Sequence, residues 1–574
     1  MKLSPLLISI LLGIAAAILF IPFLGAVHLF DWDEVNFAEC AREMIKTHDY
    51  STAQINFFPF WEKPPLFIWM QVLSMKVFGI NEFAARFPNA LCGIVTVVLV
   101  FNLGRKLYDN RFGLLWALAF AGSLLPHFYF KSGIIDPWFN LFIFLGIYHL
   151  ARYTNDYTYA SSSRFFNRSV FLSSLFIALA ILTKGPVAGL VFGLCFITYR
   201  IMKRAPIMKW KHFILACITI AGIGGVWFLI LALEGRTNII MEFLVYQIRL
   251  FSTEDADHGG PFYYHWVVLL IGCFPASVFA IRGFFRSGSD TPYQKHMKRW
   301  MLILFWVVLI LFSIVKTKIV HYSSLCYFPL TFLAAYCAHK LILEEWPWKK
   351  WMSAVLLFTG GMLGLLLTAL PIIAMNRTAI LAANIIKDPF AAGNFGADVH
   401  WSGWEVGIGL LFLAGVLACF ILALKKKMKA AIISLFVLTL LSTNLSSLVF
   451  APKVEGYSQR AAIDFYESLK GQKCYIDVIG FKSYAHLFYT DKDPSSNTPF
   501  MEWYKQNPPK GLAPGAHVSS GQMDIFYYEY LRSQPLDRPV YVVSKNTHAK
   551  EFEHDFPAYR KLSEKNGFVF YIRN

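Results

Sequence analysis

Apolar runs of roughly 20 residues, the length of helix that spans the hydrocarbon core of a bilayer, recur from the start of this chain to about residue 450. In lipid the backbone must satisfy its own hydrogen bonds within helices or a closed barrel. Runs this long and continuous select helices. A window of about 19 residues gives thirteen candidate spans, near 4–26, 88–104, 112–130, 134–151, 169–184, 186–202, 212–233, 264–281, 300–315, 320–339, 351–373, 404–424 and 430–451. Composition agrees: 56% of residues are hydrophobic and 16% charged, against about 25% charged in soluble domains. The expected fold class is a polytopic α-helical membrane protein.

Loops after even-numbered spans are basic, as in Arg105-Lys106, Lys203-Arg204, Lys298-Arg299, Lys349-Lys350 and Lys425-Lys426-Lys427. The positive-inside rule puts these loops and the N-terminus in the cytoplasm, and the other loops and the tail outside. The net charge of +17 is explained this way. Nucleic acid is excluded, since the basic residues alternate with spans and form no continuous face. Lys2 followed by a long apolar run without an A-x-A-like cleavage site reads as a retained signal anchor. The nine cysteines are scattered, mostly within apolar runs, with no CxxC or Cys/His spacing. They read as small buried hydrophobes.

The expected organisation is a transmembrane domain over 1–451 and a small extracytoplasmic α/β domain over 452–574. The transmembrane part includes a first outer loop at 27–87 with interfacial helices and a second outer loop at 234–263. In the tail, "RAAIDFYESLKG" has a helical period, while "KCYIDVIG", "PVYVVSKN" and "FVFYIRN" read as strands.

Uncommon charges gather on the predicted outer side. Asp31, Asp33 and Glu34 crowd the mouth of the first span. Each carboxylate there has a helix-capping explanation, and Asp31 with Glu34 resembles a capping box. One helix needs only one cap, however, and clustered carboxylates repel unless a cation or a proton relieves them. Glu62 and Lys63 precede Pro64-Pro65, either as a surface pair or as a metal ligand beside a phosphate anchor. Asp136 precedes Pro137 and reads as a helix N-cap that also faces the outer cavity. Lys184 lies on the same side. Arg249, Glu254, Asp255, Asp257 and His258 share one loop with Gly259-Gly260, and carboxylates beside an imidazole suit a divalent metal. Lys316 and Lys318 interrupt two spans, either snorkelling to headgroups or meeting an anion, with His321 and Tyr322 just beyond. Intramembrane and membrane-edge ionisable groups point to function, here a site for phosphate and a metal. An ion pathway or flippase also fits such a site, but the spans are nearly free of acids and no repeated halves appear.

The ordered pieces "DEVNFAECAREM", "WEKPP", "IIDPW", "LTKGP", "EDADHGGPFYYH" and "VKTKIVHY" resemble the C-type membrane glycosyltransferases of the protein-mannosyltransferase branch, nearest to the bacterial transferases that put aminoarabinose on lipid A. The resemblance implies an inverting transferase in the bacterial inner membrane, with its site on the periplasmic side. A polyprenyl (undecaprenyl) phosphate sugar is the implied donor, and the acceptor is lipid A or another envelope lipid or glycan. A protein O-mannosyltransferase-like activity is the alternative. The resemblance makes Asp33, with Glu34 and Asp136, catalytic. Lys63 and Arg249 hold the donor phosphate, with Lys316 and Lys318 as further cations, and Tyr322, His321 and Lys184 line the cavity. Glu62 and His258 align with ligands of a divalent cation (Zn, Mg or Mn). Where the lipid A enzymes carry an Arg three residues past the Asp, this chain has Asn36. Membrane lipids and the two substrates are the expected partners, and the protein is expected to be a monomer.

Overall fold

The computed structural model describes residues 4–155, 165–204, 208–252, 259–507 and 518–574. His258, Glu254, Asp255 and Asp257 lie outside the described residues. Ten helices are used below: α1 (Pro5–Phe20), α2 (Asp33–Thr47), α3 (Leu66–Phe78), α4 (Glu82–Leu107), α5 (Asp136–Asn155), α6 (Arg168–Lys184), α7 (Thr237–Ser252), α8 (Pro292–Ile314), α9 (Tyr327–Ile342) and α10 (Met428–Gly456).

Among the described residues, six helices are long and apolar enough to cross a bilayer, or up to eight spans if each of two bent helix pairs counts as one. The bundle is therefore that of a polytopic helical membrane protein. Three expected boundaries move. Helix α4 starts well before position 88, because the Asn81 side chain accepts from the Ala84 N–H and caps it at Glu82. The run 264–281 is no straight crossing: Tyr264–Gly272 and Ala276–Gly283 meet at 112°. Pro275, between them, has no N–H to continue the first helix. Helix α10 continues past residue 451 to Gly456.

The most enclosed span, Val320–Ile342, has 94% of its apolar window buried and runs through the middle of the bundle. It opens with a 3-10 turn at Val320–Cys326 and continues as α9. At the far end of α9, Lys340 pairs with Asp290 at 3.1 Å and Glu345 at 2.9 Å, and the Tyr336 hydroxyl donates to Asp290 at 2.5 Å. Lys340 and Asp290 are both buried and form an ion pair there.

Residues 460–574 form a four-stranded sheet with helices against it. The strands are β1 (Tyr475–Ile479), β2 (Val540–Lys545), β3 (Arg560–Lys565) and β4 (Phe568–Arg573), in the order β1-β2-β4-β3. β1 and β2 are parallel, with Tyr475 opposite Val540, and the other pairs are antiparallel. Asn566 and Gly567, both at positive φ, make the β3–β4 turn, as an Asn-Gly hairpin does. This part does not pack alone. Val35, Phe37 and Ala41 of α2 and Phe67 and Ile68 of α3 share one hydrophobic cluster with Ile463, Leu487, Val543 and Phe568.

That shared core gives α2 a protein partner on its polar side. Its polar residues Glu39, Arg42 and Glu43 are fully buried. Arg42 grips Glu39 through two hydrogen bonds of 2.6 and 2.7 Å, then reaches Asp491 at 3.1 Å and the Lys492 carbonyl at 2.8 Å. Lys492 donates to Asn56 and to the Tyr527 hydroxyl. The charged face of α2 thus meets the C-terminal sheet region. The second outer loop is also more ordered than expected, since α7 occupies most of it. Met241, Val245 and Ile248 on α7 are more than 60% exposed, an apolar face turned outward.

Candidate functional site

Helix α2 begins without a side-chain cap. Its first flanking residue, Trp32, has φ 72° and ψ −117°, a conformation that costs a bulky residue about 1–3 kcal/mol. Asp31 is not the cap either: it accepts from the Ser483 hydroxyl at 2.7 Å. Burial pushes its carboxyl up to about 6, against that hydrogen bond. The bend at Trp32 turns Asp33 into a cavity of about 550 Å³.

That cavity is lined by Asp33, Asn36, Glu62, Lys63, Asp136, Lys184, Arg249, His321 and Tyr322, together with Trp32, Tyr246 and Lys482. Residues more than 280 positions apart in the chain thus converge on one space. Asp33, about one-third exposed, lies 3.6 Å from His321 Nε2. On α6, Lys184 donates to Asp136 at 2.7 Å and lies 5.7 Å from the Tyr322 ring. The other Asp136 oxygen is buried and has no hydrogen-bond partner among the described residues.

Tyr246 organises the cationic wall. Its ring has the Lys63 ammonium at 5.0 Å and the Arg249 guanidinium at 5.3 Å, and its hydroxyl donates to Glu62 at 3.2 Å. Burial pulls the Lys63 ammonium below its usual range. Glu62, Asp33 and Asp136 favour its charge, and Lys184 opposes it. Two cations on one aromatic ring beside a void repel each other, and an anion placed between them would relieve that repulsion.

A second cavity, of about 390 Å³, meets the first at Trp32, Asp33 and His321. Its walls are mostly apolar, including Phe23, Val27, Phe30, Phe128 and Tyr129, with Lys131 and Ser132 among the polar groups. Asp33 and His321 therefore stand between two separate compartments.

Several expected site residues are engaged by other partners in this geometry, Glu34 while bordering the second cavity. Glu34, expected among the catalytic carboxylates, faces Arg86: the guanidinium donates to both its oxygens at 3.0 and 2.7 Å, and the Phe30 and Gly133 N–H groups add two more bonds. Burial raises the Glu34 carboxyl, but Arg86 outweighs it and holds the group below its usual value. With its acceptor sites filled, Glu34 fixes the entry to α2. Lys318, expected to bind phosphate, is buried and donates to the Phe312, Ser313 and Val315 carbonyls. It caps the C-terminal end of α8, a helix end that attracts cations. Lys316 is exposed and does not line the cavity. Trp32, Tyr246 and Lys482 escaped the sequence reading. Tyr246 carried one usable signal, standing three residues before Arg249 on the same face of a helix.

No group of three His, Cys, Asp or Glu among the described residues could hold a metal ion. Glu62 is a single carboxylate shared with Tyr246 and beside Lys63, so the described residues do not by themselves form the expected cation site.

The comparisons with known proteins point the same way. A family model described as dolichyl-phosphate-mannose-protein mannosyltransferase matches residues 62–228. The undecaprenyl phosphate-alpha-4-amino-4-deoxy-L-arabinose arabinosyl transferase of Photorhabdus laumondii is 25% identical over 413 residues, 71% of this chain and 70% of that protein. The protein of the same description from Enterobacter sp. is 28% identical over 318 residues, 54% of this chain and 55% of that protein. The chain thus matches between 55% and 70% of the length of these relatives. Among solved structures, ArnT from Cupriavidus metallidurans bound to undecaprenyl phosphate superposes with a TM-score of 0.69 at 16% identity, covering 98% of this chain and 97% of that one. This chain is related to these transferases in sequence and has the ArnT fold.

Proposed function

We propose that the chain is a glycosyltransferase that takes a sugar from an undecaprenyl phosphate donor and passes it to an acceptor outside the cytoplasm. The observation that carries this is the meeting of two cavities at Asp33, one walled by Lys63, Arg249 and Lys184 and the other mostly apolar. The relatives' names supply the donor class.

The donor phosphate lies against Lys63 and Arg249, which stabilise the charge that grows as the bond from the sugar's anomeric carbon to the phosphate oxygen breaks. Phosphate leaves without needing a proton. The acceptor oxygen attacks from the opposite face, so a single displacement inverts the anomeric carbon. A hydroxyl acceptor gives its proton to Asp33 as general base. A phosphate acceptor, already ionised near neutral pH, needs Asp33 only for orientation. The unpartnered Asp136 oxygen accepts a hydrogen bond from a hydroxyl or amine of the sugar, since leaving it unpaired in the loaded site is costly.

The finer statements of the reading rest on the sequence. Thirteen crossings with the N-terminus in the cytoplasm, and the cavities and C-terminal sheet region on the periplasmic side, follow from the basic loops. The working unit is a monomer. A divalent cation at Glu62 and His258 is kept as a proposal, and no step above runs through it. Activity indifferent both to EDTA and to Glu62→Gln would remove it.

The test is to incubate membranes containing the full chain with labelled undecaprenyl phosphate-4-amino-4-deoxy-L-arabinose and the corresponding mannose lipid, then identify the labelled product. Inverted sugar on lipid A or another envelope glycan supports the reading. Label on protein moves the activity to the mannosyltransferase-like alternative, favoured by the match over 62–228. Donor that crosses vesicles without a new glycosidic bond overturns the transferase reading.

A further inference from the structure

Lys482 comes from the C-terminal sheet region, yet it lines the main cavity, and among the described residues it is the one residue beyond α10 that does so. It sits in the turn that leaves β1. Gly480 in that turn has φ +82°, and a Cβ there would meet the His548 ring at 2.5 Å, so the path of the turn is tightly restricted. The turn and the C-terminal segments around it are also fastened to the segment before Asp33. Ser483 donates to Asp31, the Leu29 N–H donates to the Tyr489 hydroxyl at 2.7 Å, and Gln459 donates to the Leu29 carbonyl and accepts from the Asp31 N–H.

These bonds hold the Lys482 ammonium 5.8 Å from the Trp32 ring and 5.7 Å from Tyr484. Trp32 is 45% exposed, keeps its unfavourable backbone conformation, and belongs to both cavities. Strain retained beside an open site is an observation from which function can be argued. A half-exposed indole gives a flat face against which a sugar ring packs, and a cation over it adds charge. Lys63 and Arg249 share a different ring, Tyr246. The site therefore has two separate aromatic-cation walls, one more than a donor with a single phosphate requires.

We propose that the second wall binds the acceptor: Lys482, held over Trp32, contacts an anionic group of the acceptor next to its attacking oxygen, so that the C-terminal region selects charged acceptors over neutral ones. This rests on the transferase reading and adds to it a residue and a region that read the acceptor.

The experiment uses the full-length protein in detergent, saturated with undecaprenyl phosphate to occupy the donor wall. Glucose 1-phosphate, a soluble anionic sugar, is titrated in at low salt beside neutral glucose. Wild type is expected to bind the phosphate ester in preference to glucose. Lys482→Ala should lose that binding by about tenfold, worth about 1.4 kcal/mol, and Lys482→Arg should retain it. In turnover, Lys482→Ala should raise the acceptor KM and leave the donor KM in place. Equal binding of glucose 1-phosphate by wild type and Lys482→Ala, or a change confined to undecaprenyl phosphate affinity, overturns the proposal. Undecaprenyl phosphate that binds wild type and Lys63→Ala alike counts against the donor reading instead, and the Lys482 comparison, repeated without it, still stands or falls on its own.

Discussion

The start and the middle of α2 carry the same chemistry to different ends. At the start, Asp33 points into open space with one imidazole 3.6 Å away. Two turns on, Glu39 and Glu43 are fully buried, with Arg42 clamped between them and the C-terminal region. Both sites are rich in carboxylates, and the amino-acid types do not separate them. What differs is whether a protein cation closes on the carboxylates. The Arg42 guanidinium makes the buried group a joint, and a carboxylate that faces the cavity leaves room for substrate. Glu34, beside Asp33 in sequence, falls with the joints because Arg86 and two backbone N–H groups fill it.

The largest effects should split this comparison cleanly. Asp33→Asn should lower kcat by a factor of roughly 10²–10⁴ with a hydroxyl acceptor while leaving the melting temperature of the purified protein where it was. Arg42→Ala should do the reverse. It leaves buried carboxylates without their cation, a loss of about 3–5 kcal/mol, visible as a lower Tm and as proteolysis at the α2 contact with the C-terminal region. If Asp33→Asn unfolds the protein, or Arg42→Ala impairs only turnover, the division is wrong.

Next in size is a pair of lysines expected alike from sequence and separated by structure. Lys63→Ala should weaken undecaprenyl phosphate binding by about 10–100-fold, the loss of a charge-assisted contact of about 1.5–3 kcal/mol. Lys318→Met should leave that affinity unchanged and lower stability by about 1–3 kcal/mol, because three carbonyls at the end of α8 lose their donor. A donor-binding defect in Lys318→Met would return it to the phosphate site.

The most gradual effect is a pH slope at the joint. Burial, with Arg42 adding, pulls the Lys492 ammonium down to about 7, against the carboxylates near it. Unfolded, the same amine titrates at 10.5. Between about 7 and 10.5 the unfolded chain therefore binds more protons, and stability should rise with pH across that window. Below 7 both states are protonated and the slope vanishes. Lys492→Met should flatten the rise in a pH series of Tm values, and an identical slope in the variant would remove Lys492 as its cause.

Much of the fold could be read from local pattern. Apolar runs gave the membrane class, β-branched and aromatic runs marked β1, β2 and β4, and the 3.6-residue period marked the helix Arg460–Ser468. Strand β3 was not readable, because all its residues are exposed and all but Leu562 are polar, and an edge strand is defined by its neighbour. The cavity set was readable in part. Asp33, Lys63, Asp136, Lys184, Arg249, His321 and Tyr322 do line one cavity, since unusual charges near lipid stand out wherever they fall. Glu34 and Lys318 stood out just as much and serve the scaffold.

By itself the sequence determined that this chain is a helical membrane protein, and which of its polar residues are too costly in such a setting to be incidental. Hydrophobicity and charge act locally, so short windows reveal them. Only the tertiary structure decided which of those charges stay open, that α2 lies beneath the C-terminal sheet region, and that Trp32, Tyr246 and Lys482 join the site. Those outcomes depend on partners far away in the chain, such as Arg86 for Glu34 and Asp491 for Arg42, and no local pattern encodes a partner's arrival.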